Sequence, residues 1–327
     1  MLSIINYILL LQMLIYPGFF FVIVLSFVLE WIDRKFYADI QKRVGPNSAG
    51  PIGILQPFAD FVKLMSKEDL TPKLADRLFF DVVPLALPAL MLTALLLIPF
   101  NALSGLISFS GDVVFAIVTL TFFCIMVFLA GFSSRNSFSL MGAERAMLQL
   151  LGFEIPLMIS IVGVCVFTSS VRIADIVNWQ SMHSWVILGP QILGFIIFLV
   201  AAQAELERVP FDIPEAEQEI VAGWMTEYSG RKLALLRLAK DLELVFIAAL
   251  AAVLYLGGPL GPVVPGLAYL LYPVYLVAKI LVVLLILVTI RGAFARIRID
   301  QMLTFAWSYL IPLSMVQIFI TLLWRLL

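Results

Sequence analysis

The chain has 327 residues, of which 62% are hydrophobic and only 13% charged, with a formal net charge of −1. A soluble domain averages about 45–50% apolar and about 25% charged residues. The composition therefore excludes a water-soluble enzyme and a disordered chain, and the near-neutral charge excludes an electrostatic nucleic-acid binder. The two cysteines, Cys124 and Cys165, lie in apolar runs without a C-x-x-C pattern, and there is one histidine, His183. A zinc site, a disulfide framework and a cysteine-ligated iron–sulfur cluster are not expected on this chain, nor is any other metal site.

A membrane-spanning helix needs about 20 apolar residues. Uncharged runs of that order cover 1–29, 82–111, 113–134, 155–171, 176–204 and 301–324. The first reads as a span, not a cleaved leader, because no basic region precedes it. The uncharged run 244–278 is interrupted by G-G-P-L-G-P-V-V-P-G at 257–266, which predicts one helix ending near Leu256 and another from about Leu267 to Ile290. The expectation is an all-α integral membrane protein, one multi-pass domain over 1–327 with eight transmembrane helices. Four connecting loops, 30–78, 134–150, 205–240 and 291–300, hold 18 of the 21 lysines and arginines. The positive-inside rule then places these loops in the cytoplasm and both termini outside, in a cell membrane.

The first of these loops carries Gly45, Pro46, Gly50, Pro51 and Gly53, then an amphipathic pattern: Ile54, Leu55, Phe58, Phe61, Val62 and Met65 apolar, Asp60, Lys63 and Lys67 polar. This predicts a helix lying in the interface or beneath a docked partner. The third loop holds seven carboxylates between Glu205 and Glu227. Asp212, Pro214 and Glu215 have the spacing of a helix cap. Capping leaves Glu205, Glu207 and Glu219 unexplained. Crowded carboxylates in a low-dielectric setting raise one another's pKa values and can carry protons near neutrality, whereas a solvated acidic loop would not. Glu154 is expected to open the fourth span. Lys279 falls midway along the seventh, where a charge is costly enough to require a partner, expected to be a carboxylate. No phosphate loop, nucleotide fingerprint or catalytic triad is present, and no residue is expected to be catalytic.

The motifs R-V-G-P-N-x-x-G-P-x-G-x-L-Q-P-x-A-D-x-x-K-L with K-E-D, then P-F-D-x-P-E-A-E, E-Y-S-G and R-x-R-x-D-Q-M-L occur in that order over nearly the whole chain. Together they resemble the NuoH-type membrane subunit of complex I and of its hydrogenase and sulfur-reductase relatives. The resemblance implies an eight-span subunit that anchors a peripheral redox module and adjoins antiporter-like membrane subunits. It implies an ion pathway through Glu154, Glu205, Asp212, Glu215, Glu217, Glu219, Glu227 and Lys279, to which Glu207 adds a further carboxylate of this chain's own. It implies a redox-module interface at Asp33, Arg34, Lys35, Arg43, Gln56, Arg208, Arg296, Arg298 and Asp300. Iron–sulfur clusters would sit on partner subunits, with no cofactor held by this chain itself.

Three departures stand out. Quinone-reducing members usually read A-E-T-N-R where this chain has A-E-L-E-R, so Glu207 replaces an asparagine. Their F-A-E-Y is L-A-K-D here, which puts Lys240 in place of a glutamate and leaves Asp241 and Glu243 as substitutes on the pathway. Glu144 replaces an apolar residue beside Arg145. These point toward a hydrogenase- or sulfur-reductase-type complex, whereas the long first loop is shared with quinone-type enzymes, for which quinone would be the acceptor. The coupled ion, H⁺ or Na⁺, stays open. A stand-alone secondary transporter is the alternative of another class, but such proteins bind at broken helices near the midplane, and the 257–266 break is expected at a span boundary.

Overall fold

The computed structural model describes residues 10–262 and 266–326, and of Glu217 only the backbone. Among the described residues the secondary structure is entirely helical. The long helices are α1 (Phe19–Ile40), α2 (Gln56–Ser66), α3 (Arg77–Leu95), α4 (Asp112–Ser133), α5 (Ser137–Thr168), α6 (Ile173–Met182), α7 (Ile192–Glu205), α8 (Gly230–Tyr255), α9 (Ala268–Ala293) and α10 (Ile299–Leu326). A π-helical turn at Ala306–Leu310 interrupts α10.

Six segments are long and apolar enough to cross a bilayer: Leu10–Ile40, α3, α4, α5, α9 and α10. The other two expected spans differ in instructive ways. The run 176–204 is not one helix, because α6 ends at Met182 and α7 begins only at Ile192. With 14 residues, α7 reaches about 21 Å, short of the roughly 30 Å hydrocarbon core. By contrast α8 combines a charged first half with Leu244–Tyr255, in which every side chain is buried. Apolar on all sides, that half belongs at the centre of a bundle. Around it pack α1, α2, α3 and α9.

The fourth span is also displaced. With 32 residues, α5 starts at Ser137, where the Asn136 side chain accepts from the Phe138 N–H at 2.9 Å. At about 48 Å it is longer than the roughly 30 Å bilayer core. Glu154 therefore lies in mid-helix and does not open it, correcting the sequence expectation.

Several loops meet at one end of the bundle. The Asp76 N–H donates to Ser133 O at 2.8 Å, and the Leu70 N–H to Ser229 Oγ at 3.0 Å. The Ile297 N–H donates to Pro210 O at 3.2 Å. Segment 206–229 is wedged into this end with little helix of its own. Gly142 on α5 touches it so closely that a Cβ there would stand 2.6 Å from the Trp224 nitrogen. Gly223, at φ +55°, faces Pro214 O with no room for a side chain. The expected helix cap at Asp212 and Glu215 does not form; the segment stays irregular until a single turn at Glu217–Ile220, preceded by Ala216. The close approach of α5 at Gly142 and of Gly223 to Pro214 O overrides the local capping signal.

Candidate functional site: a buried charge chamber

The amphipathic helix forms as its pattern predicts. α2 leans on α1 through Phe27, Phe58 and Phe61. Its Asp60 accepts from Arg34 at 2.8 Å and from Gln56 at 3.0 Å, and Arg34 also pairs with Glu30. Burial pushes the Asp60 carboxyl up, but the hydrogen bonds from Arg34 and Gln56 outweigh it and hold the group below its usual value.

Deeper, at the junction of α1, α7, α8 and α9, charges are buried in pairs. Asp33, 2% exposed, binds Arg208 at 2.7 Å and Arg291 at 3.0 Å. Glu207, 7% exposed, binds Lys240 at 2.8 Å, and Lys240 also reaches Glu243, 1% exposed, at 3.3 Å. Trp224, fully buried, closes the group: its Nε1 donates to Glu207 at 3.3 Å and its ring lies 5.9 Å from the Lys240 ammonium. Glu207 and Lys240, two departures from the family motifs, thus neutralise one another. Removing a single partner from such a buried pair typically costs about 3–5 kcal/mol.

The backbone at Glu207 strengthens the case for a role. Glu207 N–H bonds Ala204 O and Arg208 N–H bonds Gln203 O, a helix ending whose left-handed position usually holds glycine. Glu207 occupies it at φ +53°. A non-glycine residue there costs on the order of 1 kcal/mol, and such strain clusters at functional sites.

Two cavities open onto these groups. One, of about 430 Å³, is lined by Glu30, Arg34, Glu215, Arg237, Lys240 and Asp241 among others. The second, of about 270 Å³, lies between Arg208, Asp212, Glu215, Lys240, Asp241 and Arg291. Glu215 faces both. Partly buried, it is pushed up to about 7, first by burial and then by the Glu207 charge, with Lys240 opposing. Asp241 lies against Glu30.

Toward the bundle interior, Glu205 stands within electrostatic reach of Glu243 and Glu154, and Glu154 accepts a hydrogen bond from Thr121. The structure thus draws Glu154, Glu205, Glu207, Glu215, Asp241 and Glu243 into one neighbourhood, with Asp212 at the second cavity. The side chain of Glu217 lies outside the described residues. Glu219 is elsewhere: half exposed, it is held by Arg145 at 2.5 Å and Arg296 at 3.3 Å. The Arg145 hydrogen bond, aided by Arg296, keeps its carboxyl below the usual range. Glu227 is turned to Asn136. Of the expected interface residues, Lys35 reaches Pro46 O at 3.3 Å, Arg43 bonds Gln41, and Arg296, Arg298 and Asp300 line a separate surface cleft with Arg145 and Glu219.

Lys279 does not meet a carboxylate among the described residues. Its ammonium donates to Gly258 O at 2.9 Å and Leu260 O at 2.7 Å and lies 4.8 Å from the Trp185 ring. Both carbonyls belong to the loop just beyond the C-terminal end of α8, on the side of the helix dipole that favours a cation. The break consequently sits beside the middle of α9 and not at its end.

Lys240, Glu30 and Arg291 were missed as site residues by the sequence reading. Their signal, three charges each near the edge of an apolar run, is indistinguishable in one dimension from ordinary flanking charges.

The sequence profile of the NADH dehydrogenase family matches residues 11–322. The chain belongs to this family. Two curated relatives, each named as the H subunit of an NADH-quinone oxidoreductase and drawn from two strains of Dehalococcoides mccartyi, are 40% identical over 315 residues, covering 96% of this chain and 86% of theirs. The chain is thus a multi-pass membrane subunit of a complex I-type oxidoreductase, with the other subunits of that complex as its partners.

Proposed function

We propose that this subunit anchors the peripheral electron-transfer module on loops 30–78 and 205–240, in the cytoplasm, and couples it to ion translocation in the cell membrane. The observation that carries the reading is the buried sequence Glu207–Lys240–Glu243, with Glu215 on its cavity side and Glu205 and Glu154 on its bundle side. Redox events beside the 430 Å³ cavity would change the charge on Glu215 or Asp241. Lys240 then shifts its balance between Glu207 and Glu243, and the carboxylates beyond respond by taking up or releasing an ion. Glu219, with Arg145 and Arg296, and the groups Asp33, Arg34, Lys35, Arg43, Gln56, Arg208, Arg298 and Asp300 would secure the module's position. Lys279 holds the loop that follows α8, and carries the charge change onward only if a neighbouring subunit supplies a carboxylate.

The names of the relatives support a quinone acceptor, and the cavity volume lies in the range of ligand pockets, roughly 300–1,000 Å³. The Glu207–Lys240 pair supports the second reading, a hydrogenase- or sulfur-reductase-type complex. The test is electron transfer by the purified complex to a short-chain quinone, to protons and to polysulfide, with ions moved per electron measured in vesicles. Quinone turnover establishes the first reading, and turnover only with protons or polysulfide the second. If Glu215→Gln combined with Glu243→Gln leaves the ion-to-electron ratio at the wild-type value, the coupling proposal fails.

A further inference from the structure

Glu227 is one of the acids that the motif resemblance puts on the ion pathway, yet its side chain is turned out of the chamber. Thr226 and Tyr228, on either side of it, line the 430 Å³ cavity, and Glu227 does not. Its carboxylate accepts a hydrogen bond from Asn136 Nδ2 instead. Asn136 stands in the elbow between α4, which ends at Ser133, and α5, which begins at Ser137. The elbow is tight: Arg135, the residue before Asn136, sits at φ +50°, in the left-handed region that favours glycine.

Both ends of the Asn136 amide are in use. Its Oδ1 accepts from the Phe138 N–H at 2.9 Å and so caps α5, which leaves Nδ2 as the end that faces Glu227. The helix dipole is positive at this end, so an ionised carboxylate is favoured there. The next residue, Tyr228, makes a second attachment: its hydroxyl donates to Ala130 O at 3.1 Å, and its ring stacks on Phe80 at 4.3 Å. Adjacent residues thus fasten the loop to the last turn of α4 and to the cap of α5, and two fixed points leave no pivot about either.

We infer that Glu227 is a positioning residue and not an ion carrier: its carboxylate clamps segment 206–229, with the cavity wall at Thr226 and Tyr228, to the cap of the helix that carries Glu154. The inference rests on the coupling reading above, in which Glu215 on this segment and Glu154 on α5 belong to one responsive group. What Glu227 contributes to that group is geometry. An amide oxygen in its place accepts the same hydrogen bond, whereas a proton carrier has no amide substitute.

The test exchanges the two partners in the intact complex and reads amide hydrogen exchange over 222–229 together with ions moved per electron in sealed vesicles. Asn136→Asp keeps an oxygen for the Phe138 N–H but sets a second carboxylate against Glu227. Exchange over 222–229 should rise about tenfold, the factor one net hydrogen bond supplies, and the ion ratio should fall. Adding Glu227→Gln restores one donor and one acceptor in reversed order and should return both readouts to wild type. Glu227→Gln alone still accepts from Asn136 and should leave both at wild type. A ratio lost in Glu227→Gln alone makes Glu227 a carrier and overturns the proposal. Exchange that is unmoved by Asn136→Asp, or that stays raised in the double exchange, overturns it as well. Failure of the coupling reading is a separate result: Glu215→Gln with Glu243→Gln then leaves the ratio unchanged, while hydrogen exchange still reports the clamp.

Discussion

Two polar regions lie inside this bundle, and they are built on opposite plans. At the loop end, Asp33, Arg208, Arg291, Glu207, Lys240 and Glu243 are ionisable groups paired with one another beside cavities. Between α5, α7 and α10 the polar groups are neutral: Gln191 donates to Gly163 O at 2.9 Å and Thr321 Oγ1 at 2.7 Å, and Gln317 donates to Gln191 at 2.5 Å. Gly163 leaves the space that the Gln317 amide fills, since a Cβ there would overlap Gln317 Nε2 and displace it. Amides bridging helices in an apolar setting add specificity to packing and cannot change charge. Paired ions beside cavities can, because each partner's charge depends on the other. The contrast separates a part of the molecule that holds helices together from a part that can respond to a redox event. Lys279 belongs by construction to the first group, although it is charged, because its partners are carbonyls.

The largest effect should come from Lys240→Met, which leaves Glu207 and Glu243 buried without their cation. A loss of about 3–5 kcal/mol is expected, read as a fall in assembled complex and in Tm, with partial recovery when Glu207→Gln is added. Failure of the second change to recover any stability would mean that the pair is not coupled. Next, Lys279→Met removes two hydrogen bonds from a charged donor, each worth about 1.5–3 kcal/mol. Tm should fall while the ion-to-electron ratio is retained; a collapsed ratio at normal Tm would move Lys279 into the pathway.

Glu215 provides a pH signature. Its carboxyl is raised to about 7, so the folded state holds this proton more tightly than the unfolded chain does. Stability is therefore highest below the unfolded value near 4.5 and declines as pH rises toward 7, by up to about 1.4 kcal/mol per unit. Glu215→Gln should flatten Tm against pH across that window. An unchanged slope would show that Glu215 does not titrate there. The smallest effect is expected at Glu219, whose half-exposed pairing with Arg145 and Arg296 is worth within about 1 kcal/mol; Glu219→Gln should hardly move Tm.

Much of this architecture is legible in the sequence. The apolar runs locate the helices, the 257–266 break is real up to Pro262, and the amphipathic pattern after Gly53 forms α2. Uncharged length misleads in two places. It merges α6 and α7 into one span, since loop residues 183–191 are uncharged too, and it starts the fourth span at Ile155 because Arg145 and Glu154 interrupt the run, although α5 continues through both. The acid chain is legible as a list of residue types, but its grouping is not. Glu219 and Glu215 are four residues apart, yet one faces Arg145 at the surface and the other an interior cavity, a separation produced by the wedged loop and not by any local pattern. The pairing of Glu207 with Lys240 joins a residue just past the end of α7 to one within α8, which a single sequence does not connect.

The most direct measurement is the number of ions moved per electron by the complex in sealed vesicles carrying Glu207→Gln together with Lys240→Gln. This pair keeps the net charge and the volume of the chamber nearly constant while removing its switchable contact. Electron transfer that continues with a ratio well below wild type is the result this account predicts. A ratio equal to wild type would show that charge does not pass through Lys240 and would contradict it.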